Sequence, residues 1–387
     1  MGTLVDGPAA AASLRALAET EAAASEEFRT LSPVWVDALW QSGLMTYLNA
    51  PEAGGCEPGI AEVIETWMEL ATQDGSLGWI GIANMPSAMA ASVFLPELGF
   101  AEVFGNPQSQ VTVGGQFFPN GSGEATDGGY TVAGAWNFGS GTGHSAYVAC
   151  GFFPIVDGEA NFDLSEFRVG IIPREQIEFN DGWHVQGLRG TGSYDYSVTE
   201  VFVPEHRCFG LFTREPLRGA SPLFRMGLMP VTAAGHGAWA LGVAKSMLDD
   251  VAELAQTKAR MSDMETLARR NTFQRNLAHF TGMWRAARAG MIETFVGVEE
   301  AVASGQSLTP TMRADMRVAA TYATEASREV GQWAHLAAGT SAIRNGSRLE
   351  RAFRDLYTGT QHAFISEKTY IDSAQIWLGL EEDLPGV

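Results

Sequence analysis

Hydrophobic and polar positions follow three successive patterns along the 387 residues. From residue 9 to about 105 apolar side chains recur at helical spacing. Ala-rich stretches lead to Trp35, Leu39 and Trp40, then to Ile60, Val63, Ile64, Trp67, Met68 and Leu70. Pro51-Glu52-Ala53-Gly54-Gly55 separates the two groups, because proline and paired glycines break helices. Between about 110 and 205 the pattern changes to that of strands. Tyr147 to Phe153 reads as a buried strand, Arg168 to Pro173 and Tyr194 to Val203 as further ones, with Asp127-Gly128-Gly129 as a turn. Helical spacing then returns: Trp239, Val243, Met247, Val251 and Leu254 lie on one helix face. Gly305 to Pro310 predicts a break, and Gly339 a glycine stop after Val330, Trp333 and Ala337. The fold class is therefore α+β, mostly α, with a helical domain over 1–108, a β domain over 109–212 and a second helical domain over 213–387.

Charge narrows the partners. Asp plus Glu number 45 against 25 Lys plus Arg, a formal net charge of −20. A surface this acidic is repelled by phosphate backbones and anionic lipid, so neither nucleic acid nor membrane is an expected partner. No uninterrupted apolar stretch of about 18 residues appears, so no transmembrane helix is expected. The first eight residues lack a basic n-region and an apolar run, so no signal peptide is expected. Cys56, Cys150 and Cys208 are odd in number and far apart, which predicts reduced thiols and a cytoplasmic location.

Several common chemistries fail on spacing. In Gly139-Ser140-Gly141-Thr142-Gly143-His144 the third glycine comes one place too early for a dinucleotide fingerprint. Gly190-Thr191-Gly192-Ser193 lacks the lysine of a phosphate loop. The histidines are too scattered for a zinc site, so no metal is expected. Asp74-Gly75-Ser76-Leu77-Gly78 puts Asp where a nucleophile elbow needs glycine. Hydrolase, simple NAD dehydrogenase and metalloenzyme readings lose ground.

The segment Gly134-Ala135-Trp136-Asn137-Phe138-Gly139-Ser140-Gly141 carries the most specific signal. Two aromatics two residues apart share one side of a regular strand and are able to flank a planar ring. The Ser140 hydroxyl beyond them sits among glycines, where a backbone or ligand can approach closely. The same residues also read as core aromatics beside a Gly-rich turn.

This block resembles the W-x-F-x-S-G segment of flavin-dependent monooxygenases built on the acyl-CoA dehydrogenase fold, the oxygenase components of two-component (group D) systems. Trp183 to Asp195, with Gly187-Leu188-Arg189-Gly190-Thr191-Gly192-Ser193 at its centre, is similar to the family's G-[ML]-R-G-T-G-S segment. Val201-Phe202-Val203-Pro204-Glu205, Arg351-Ala352-Phe353-Arg354-Asp355 and Gln361-His362 continue the match in order. The resemblance implies an acyl-CoA dehydrogenase-like fold: an N-terminal helical domain, a central β-barrel or sandwich and a C-terminal four-helix bundle, assembled as a homotetramer.

The resemblance also implies roles. Trp136, Phe138, Gly139, Ser140, Arg189, Thr191, Ser193, Gly339 and Thr340 are the cofactor-binding candidates, with Trp136 and Phe138 flanking the isoalloxazine and Ser140 near the flavin N5. His362 and Ser140 are the catalytic candidates, His362 as the group that takes a proton from substrate, since imidazole titrates near neutrality. Asn84, Ser87 and His362 are the substrate-binding candidates; several aromatic hydroxylases of the group carry a histidine where Ser87 stands. His144 is expected to be a structural hydrogen-bonding residue, and Arg354 and Asp355 an ion pair or helix cap.

Two branches share the fold. Dehydrogenases of this kind remove a proton with a carboxylate in a Tyr-Glu-Gly-Thr segment, and Tyr357-Thr358-Gly359-Thr360 has threonine there. The expected function is therefore that of an oxygenase component, using reduced FMN or FAD from a separate NAD(P)H-dependent flavin reductase and O2, through a C4a-hydroperoxide, to hydroxylate a small aromatic, heterocyclic or amine substrate. The alternative is an acyl-CoA dehydrogenase-like enzyme desaturating a thioester. A third reading is a helical assembly protein without flavin chemistry, against which the Trp136–Gly141 and Arg189–Ser193 segments speak.

Overall fold

Proline, glycine and short polar residues set the helix starts in the first block. The computed structural model describes residues 5–387 apart from Pro107, Asp157, Asp181, 260–263 and Pro385. Helix α1 (Gly7–Ser13) opens with the Asp6 side chain accepting the Ala9 N–H. Helix α2 (Ala18–Phe28) follows, and α3 (Pro33–Gln41) opens with Ser32 accepting the Trp35 N–H. The stripe foreseen from Ile60 to Leu70 is the buried face of α4 (Ile60–Gln73). Asp74 is extended and its carboxylate accepts two N–H groups, from Ser76 and Leu77, so the chain turns there into α5 (Gly75–Phe94). Helix α6 (Glu97–Phe104) closes the block.

Helix α5 departs from the expectation that no stretch is long and apolar enough to cross a bilayer. By length and mean hydropathy it is, yet 94% of that window is buried inside the protein. An all-round apolar helix is what a central core position demands. Small residues allow the fit: Gly78 lies against Ala71 of α4, where an added Cβ would come within 2.5 Å.

The middle block forms one eight-stranded sheet. Its strands are β1 (Val113–Thr126), β2 (Gly129–Gly139), β3 (Tyr147–Val156), β4 (Glu159–Ala160), β5 (Arg168–Pro173), β6 (Glu178–Asn180), β7 (Tyr194–Pro204) and β8 (Cys208–Gly210). The order is β6-β7-β2-β1-β3-β5-β8, with β4 on β3. All pairs are antiparallel except β1 with β3. Val132 and Trp136 of β2, Phe152 of β3, Ile172 of β5, and Tyr196 and Val203 of β7 share one apolar cluster. Strands that are not neighbours therefore meet, and the sheet curls around its own core as expected of a barrel-like unit.

The last block comprises α7 (Pro222–Met226), the long α8 (Leu228–Thr257), α9 (Asn271–Ala303) and α10 (Pro310–Ala338), then α11 (Arg348–Gly359) and α12 (Glu367–Trp377). Trp239, Val243, Met247 and Val251 are all fully buried along α8, as their spacing predicted. Helix α10 stops at Gly339, whose φ is +55°. Both helical blocks contribute to a single apolar core: Trp67 and Leu70 of α4, Leu77 and Ile82 of α5 and Trp239 and Val243 of α8 belong to it. The polar groups that matter most lie where this helical core meets the rim of the sheet.

Candidate active site

The end of β2 is irregular, and that irregularity builds the site. The β2–β7 register shifts between Trp136 and Gly139, and Phe138 adopts φ +62°. This conformation is uncommon for a large side chain and marks a bulge. It turns Trp136 and Phe138 to opposite sides. Trp136 is fully buried, stacks on Tyr196 at 5.4 Å and donates its Nε1–H to Gly151 O at 2.9 Å. Phe138 is 63% exposed, with its N–H bonded to Asp195 Oδ1. The expectation that both aromatics share one strand face is thus corrected: Phe138 alone presents a ring, and Trp136 is a core residue.

After the bulge the chain turns inward through Ser140 and Gly141. Gly141 has φ +74°, and a Cβ there would stand 2.2 Å from Asn84 Oδ1. Asn84, on α5, donates to Val113 O at 2.8 Å and Ser145 Oγ at 3.2 Å, and its Oδ1 accepts from His144 Nε2 at 3.2 Å. The amide is fully occupied in fastening α5 to the sheet. Ser87 is 3% exposed and donates back to Ala83 O at 2.6 Å. In this structure both side chains, foreseen as substrate contacts, are bonded within the protein. His144 holds the structural place expected of it, and burial lowers its pKa to about 4.

Ser140 Oγ stands at one end of a row of hydroxyls. It accepts the Nε1–H of Trp79, on α5, at 3.0 Å and lies 2.8 Å from Ser193 Oγ. Ser193 Oγ lies 2.6 Å from Thr191 Oγ1, which donates to Leu188 O at 2.9 Å. Thr191 and Ser193 are buried behind Ser140, so they support it rather than line a ligand surface. Gly139 is buried too: a Cβ there would meet the Tyr196 ring at 2.6 Å. All three, foreseen as cofactor contacts, lie one layer behind the surface on which Ser140 stands. Arg189 is exposed, with Nε on Val185 O at 3.0 Å, and stays available to an anionic group.

Leu188 itself is held in the left-handed region, φ +55°, by a carboxyl beneath it. Its N–H donates to Asp355 Oδ1, on α11, at 2.6 Å, while Asp355 Oδ2 has no hydrogen-bond partner among the described residues. Burial first, and the neighbouring Asp74 second, raise the Asp355 pKa to about 8. A neutral carboxyl therefore anchors the Gly187–Ser193 turn at pH 7. Arg354 next to it pairs with Glu26 and Glu350 instead, and donates to Gln186 O at 2.9 Å. The ion-pair expectation is met by Arg354, and Asp355 caps the turn.

On its other edges Trp79 meets a ring cluster. His236 of α8 lies 5.2 Å away, Trp239 4.9 Å and His362, just past α11, 5.9 Å, all edge-on. The two imidazoles are 4.2 Å apart between centroids, and Phe364 stacks near both. Arg317 of α10 lies over the Phe364 ring at 4.3 Å. Burial, then Arg317, lowers the His362 pKa to about 4; burial, then His362, lowers that of His236. Both rings are neutral at pH 7.

His362 Nδ1 accepts the Phe364 N–H at 3.2 Å. A neutral ring with Nδ1 so occupied carries its proton on Nε2 and is a hydrogen-bond donor there. This tautomer suits donation to a ligand rather than the proton-taking role foreseen for His362. His236 forms no hydrogen bond with any described residue and keeps a ring-nitrogen lone pair free to accept one. Sequence reasoning gave His236 no role; the available signal was its position three residues before Trp239, on the same helix face.

Gly339 and Thr340 are not brought to this cluster within one chain. They sit exposed beyond α10, where Lys258 Nζ bonds Ala338 O and Ser341 Oγ. A cleft of about 1060 Å³, lined by Arg15, Glu69, Lys245, Asp250 and Arg348 among others, shares no residue with the site.

Residues 234–367 match the family described as acyl-CoA dehydrogenase, C-terminal domain. The chain is 30% identical to an indole-3-acetate monooxygenase of Pseudomonas putida, over 92% of this chain and 90% of that protein. It is 29% identical to the flavin-dependent monooxygenase oxygenase subunit HsaA of Mycobacterium tuberculosis, over 88% and 87% of the two chains. The crystal structure of 3-HSA hydroxylase from Rhodococcus sp. RHA1 superposes with a TM-score of 0.89 at 25% identity, covering 97% of each chain. With the hydroxyl row, the ring cluster and threonine at position 358, these likenesses place the chain among the flavin-dependent monooxygenases of the acyl-CoA dehydrogenase superfamily, as an oxygenase component.

Proposed function

We propose that this oxygenase component takes reduced FMN or FAD from a separate NAD(P)H-dependent reductase and hydroxylates a planar aromatic or heterocyclic molecule held between Ser140 and the His236–His362 pair. The relatives named as an indole-3-acetate monooxygenase and an oxygenase subunit support both parts of the reading. Bound reduced flavin supplies two electrons to O2, so that one oxygen atom enters the substrate and the other leaves as water.

The residues present fit such a group. Phe138 offers an exposed ring, Arg189 an exposed charge, and the half-buried Ser140 hydroxyl one lone pair beyond its bonds to Trp79 and Ser193. Ser140 would hold the flavin N5–H. Trp79, Trp239, Phe364 and the two imidazoles wall off water and match the flat face of an arene. His362 donates from Nε2 to an oxygen or nitrogen of the substrate, and neutral His236 beside it offers a ring-nitrogen lone pair as a hydrogen-bond acceptor.

The observation that carries the reading is Trp79, which joins both halves by bonding Ser140 through Nε1 while touching both histidines. Against desaturation, Glu367 is exposed at the start of α12 and so does not replace the carboxylate absent at Thr358. A homotetramer is also proposed, supported by exposed Leu336, Ile343, Trp377 and Leu378 near the C-terminus.

The test supplies reduced flavin and ¹⁸O2 to the protein with a panel of indoles, phenols and heteroaromatics. One ¹⁸O atom per product molecule is expected. Thioester-dependent bleaching of bound oxidised flavin, with no label incorporated from any arene, would overturn the reading.

A further inference from the structure

We infer that Ser193 and Thr191 are positioning residues that fix the polarity of the Ser140 hydroxyl, and so make the site prefer reduced over oxidised flavin. The inference rests on the reading that Ser140 faces the flavin N5.

It follows from counting protons. The Trp79 indole N–H is only a donor, so Ser140 accepts at that contact, 3.0 Å. The Leu188 carbonyl at the far end is only an acceptor, and Thr191 Oγ1 donates to it at 2.9 Å. Two oxygen–oxygen contacts remain between, Ser140–Ser193 at 2.8 Å and Ser193–Thr191 at 2.6 Å. Each hydroxyl has one proton. Once Thr191 gives its own to Leu188, Ser193 must give its own to Thr191, and Ser140 must give its own to Ser193. Ser140 then has no proton left to offer and presents a lone pair outward. Thr191 and Ser193 are 0% and 2% exposed, so water supplies no alternative partner.

N5 of reduced flavin carries a hydrogen and N5 of oxidised flavin a lone pair. The outward lone pair of Ser140 suits the first and opposes the second. Oxidised flavin is satisfied only if the whole row reverses, with Thr191 donating to Ser193, Ser193 to Ser140 and Ser140 outward. Reversal forfeits the Thr191–Leu188 bond. Leu188 O does not need it, since Trp183 Nε1 at 2.9 Å and Thr191 N at 3.2 Å also bond there. The difference is therefore one hydrogen bond, not an unsatisfied carbonyl.

The experiment measures dissociation constants for oxidised flavin in air and for reduced flavin under anaerobic conditions, together with the midpoint potential of the bound flavin. In Thr191→Val the only acceptor left among the described residues for the Ser193 proton is Ser140, and the row locks in its reversed sense. The ratio of oxidised to reduced dissociation constants should fall about five- to tenfold, the worth of one net hydrogen bond. A tenfold fall corresponds to a midpoint potential about 30 mV more negative. Ser193→Ala should shift the ratio in the same direction, and Thr191→Ser should restore it. These two variants carry the test if Thr191→Val does not fold.

Equal weakening of both redox forms in Thr191→Val and Ser193→Ala would show a merely structural role and overturn the inference. Ser140→Ala separates the two levels. If it alters the ratio while the other variants do not, the polarity argument fails and the Ser140 contact stands. If it alters neither affinity, Ser140 does not meet the flavin and the underlying reading fails.

Discussion

Replacing His362 by asparagine and by glutamine divides two tasks that its ring performs together. Nδ1 accepts the Phe364 N–H at 3.2 Å, and the ring, with its pKa near 4, stays neutral with its proton on Nε2. Asparagine places an amide oxygen near the Nδ1 position and has nothing that reaches Nε2. Glutamine reaches the Nε2 position with an amide N–H and leaves the Phe364 N–H without its partner. The donor acts on charge that develops during oxygen transfer, where loss of one donor typically costs about 10²–10³ in rate. The backbone contact is a neutral hydrogen bond at a half-buried site, worth about 1 kcal/mol.

His362→Asn should therefore unfold at the wild-type temperature while product formed per reduced flavin consumed falls at least about tenfold, the balance appearing as hydrogen peroxide. His362→Gln should keep most of its coupling and lose about 1 kcal/mol of stability. Coupling should also be flat from about pH 5 to 9, because the ring changes charge only near pH 4. If both variants uncouple equally, and wild-type coupling climbs with pH through 6 to 7, His362 is a base and the donor assignment is wrong.

Three further outcomes follow from groups around the site. His236 is buried and His144 and His362 are half-buried; all three are neutral in the fold but take up protons near pH 6.5 once unfolded. Their stability contribution is complete above pH 6.5 and is lost as pH falls toward about 4, by up to ~1.4 kcal/mol per pH unit for each ring. Urea unfolding at pH 7, 5.5 and 4.5 should show a shallower decline in His144→Gln; an unaltered slope would exclude His144 from the effect. Asp355 runs the opposite way. Its raised pKa, about 8, favours the fold while the carboxyl is protonated, a contribution lost as pH rises through 8. Asp355→Asn keeps the acceptor for Leu188 N–H and should hold its melting temperature between pH 6 and 9 where wild type declines, whereas parallel declines would contradict the assignment. Finally, Gly141→Ala forces a Cβ to within 2.2 Å of Asn84 Oδ1 at φ +74° and should destabilise by roughly 2–4 kcal/mol. A melting temperature within a degree of wild type would mean that the loop yields freely.

Periodicity located the elements well because it reports burial, and burial follows the chain locally. Arg168–Pro173 is a strand over the range its residues suggested, and Trp239 to Val251 line one buried face of α8. The site escaped the same treatment for three physical reasons. A bulge resets which side a strand residue faces, so the even spacing of Trp136 and Phe138 meant nothing once Phe138 took φ +62°. An amide such as Asn84 looks free in a sequence, yet three polar atoms from another unit occupy it. His236 sits in an apolar helix and gains its neighbours only when α8 meets α5 and the chain beyond α11.

These failures share a cause that also explains how the site works. Each functional atom takes its chemical state from a partner that its own periodic pattern does not reveal. Trp79 of α5 makes Ser140 an acceptor, the Phe364 N–H makes His362 a donor, and Asp355 of α11 holds the turn that carries Thr191 and Ser193. A hydroxyl or imidazole has no fixed polarity until its partners are chosen, and here the partners lie across a junction between the sheet and the helices, in the 187–193 turn or in the turn after α11. Small shifts at those junctions would therefore alter hydrogen-bond polarity before they altered shape. It follows that substitutions at the junctions should reveal themselves first in redox-state preference and coupling, and only later in melting temperature.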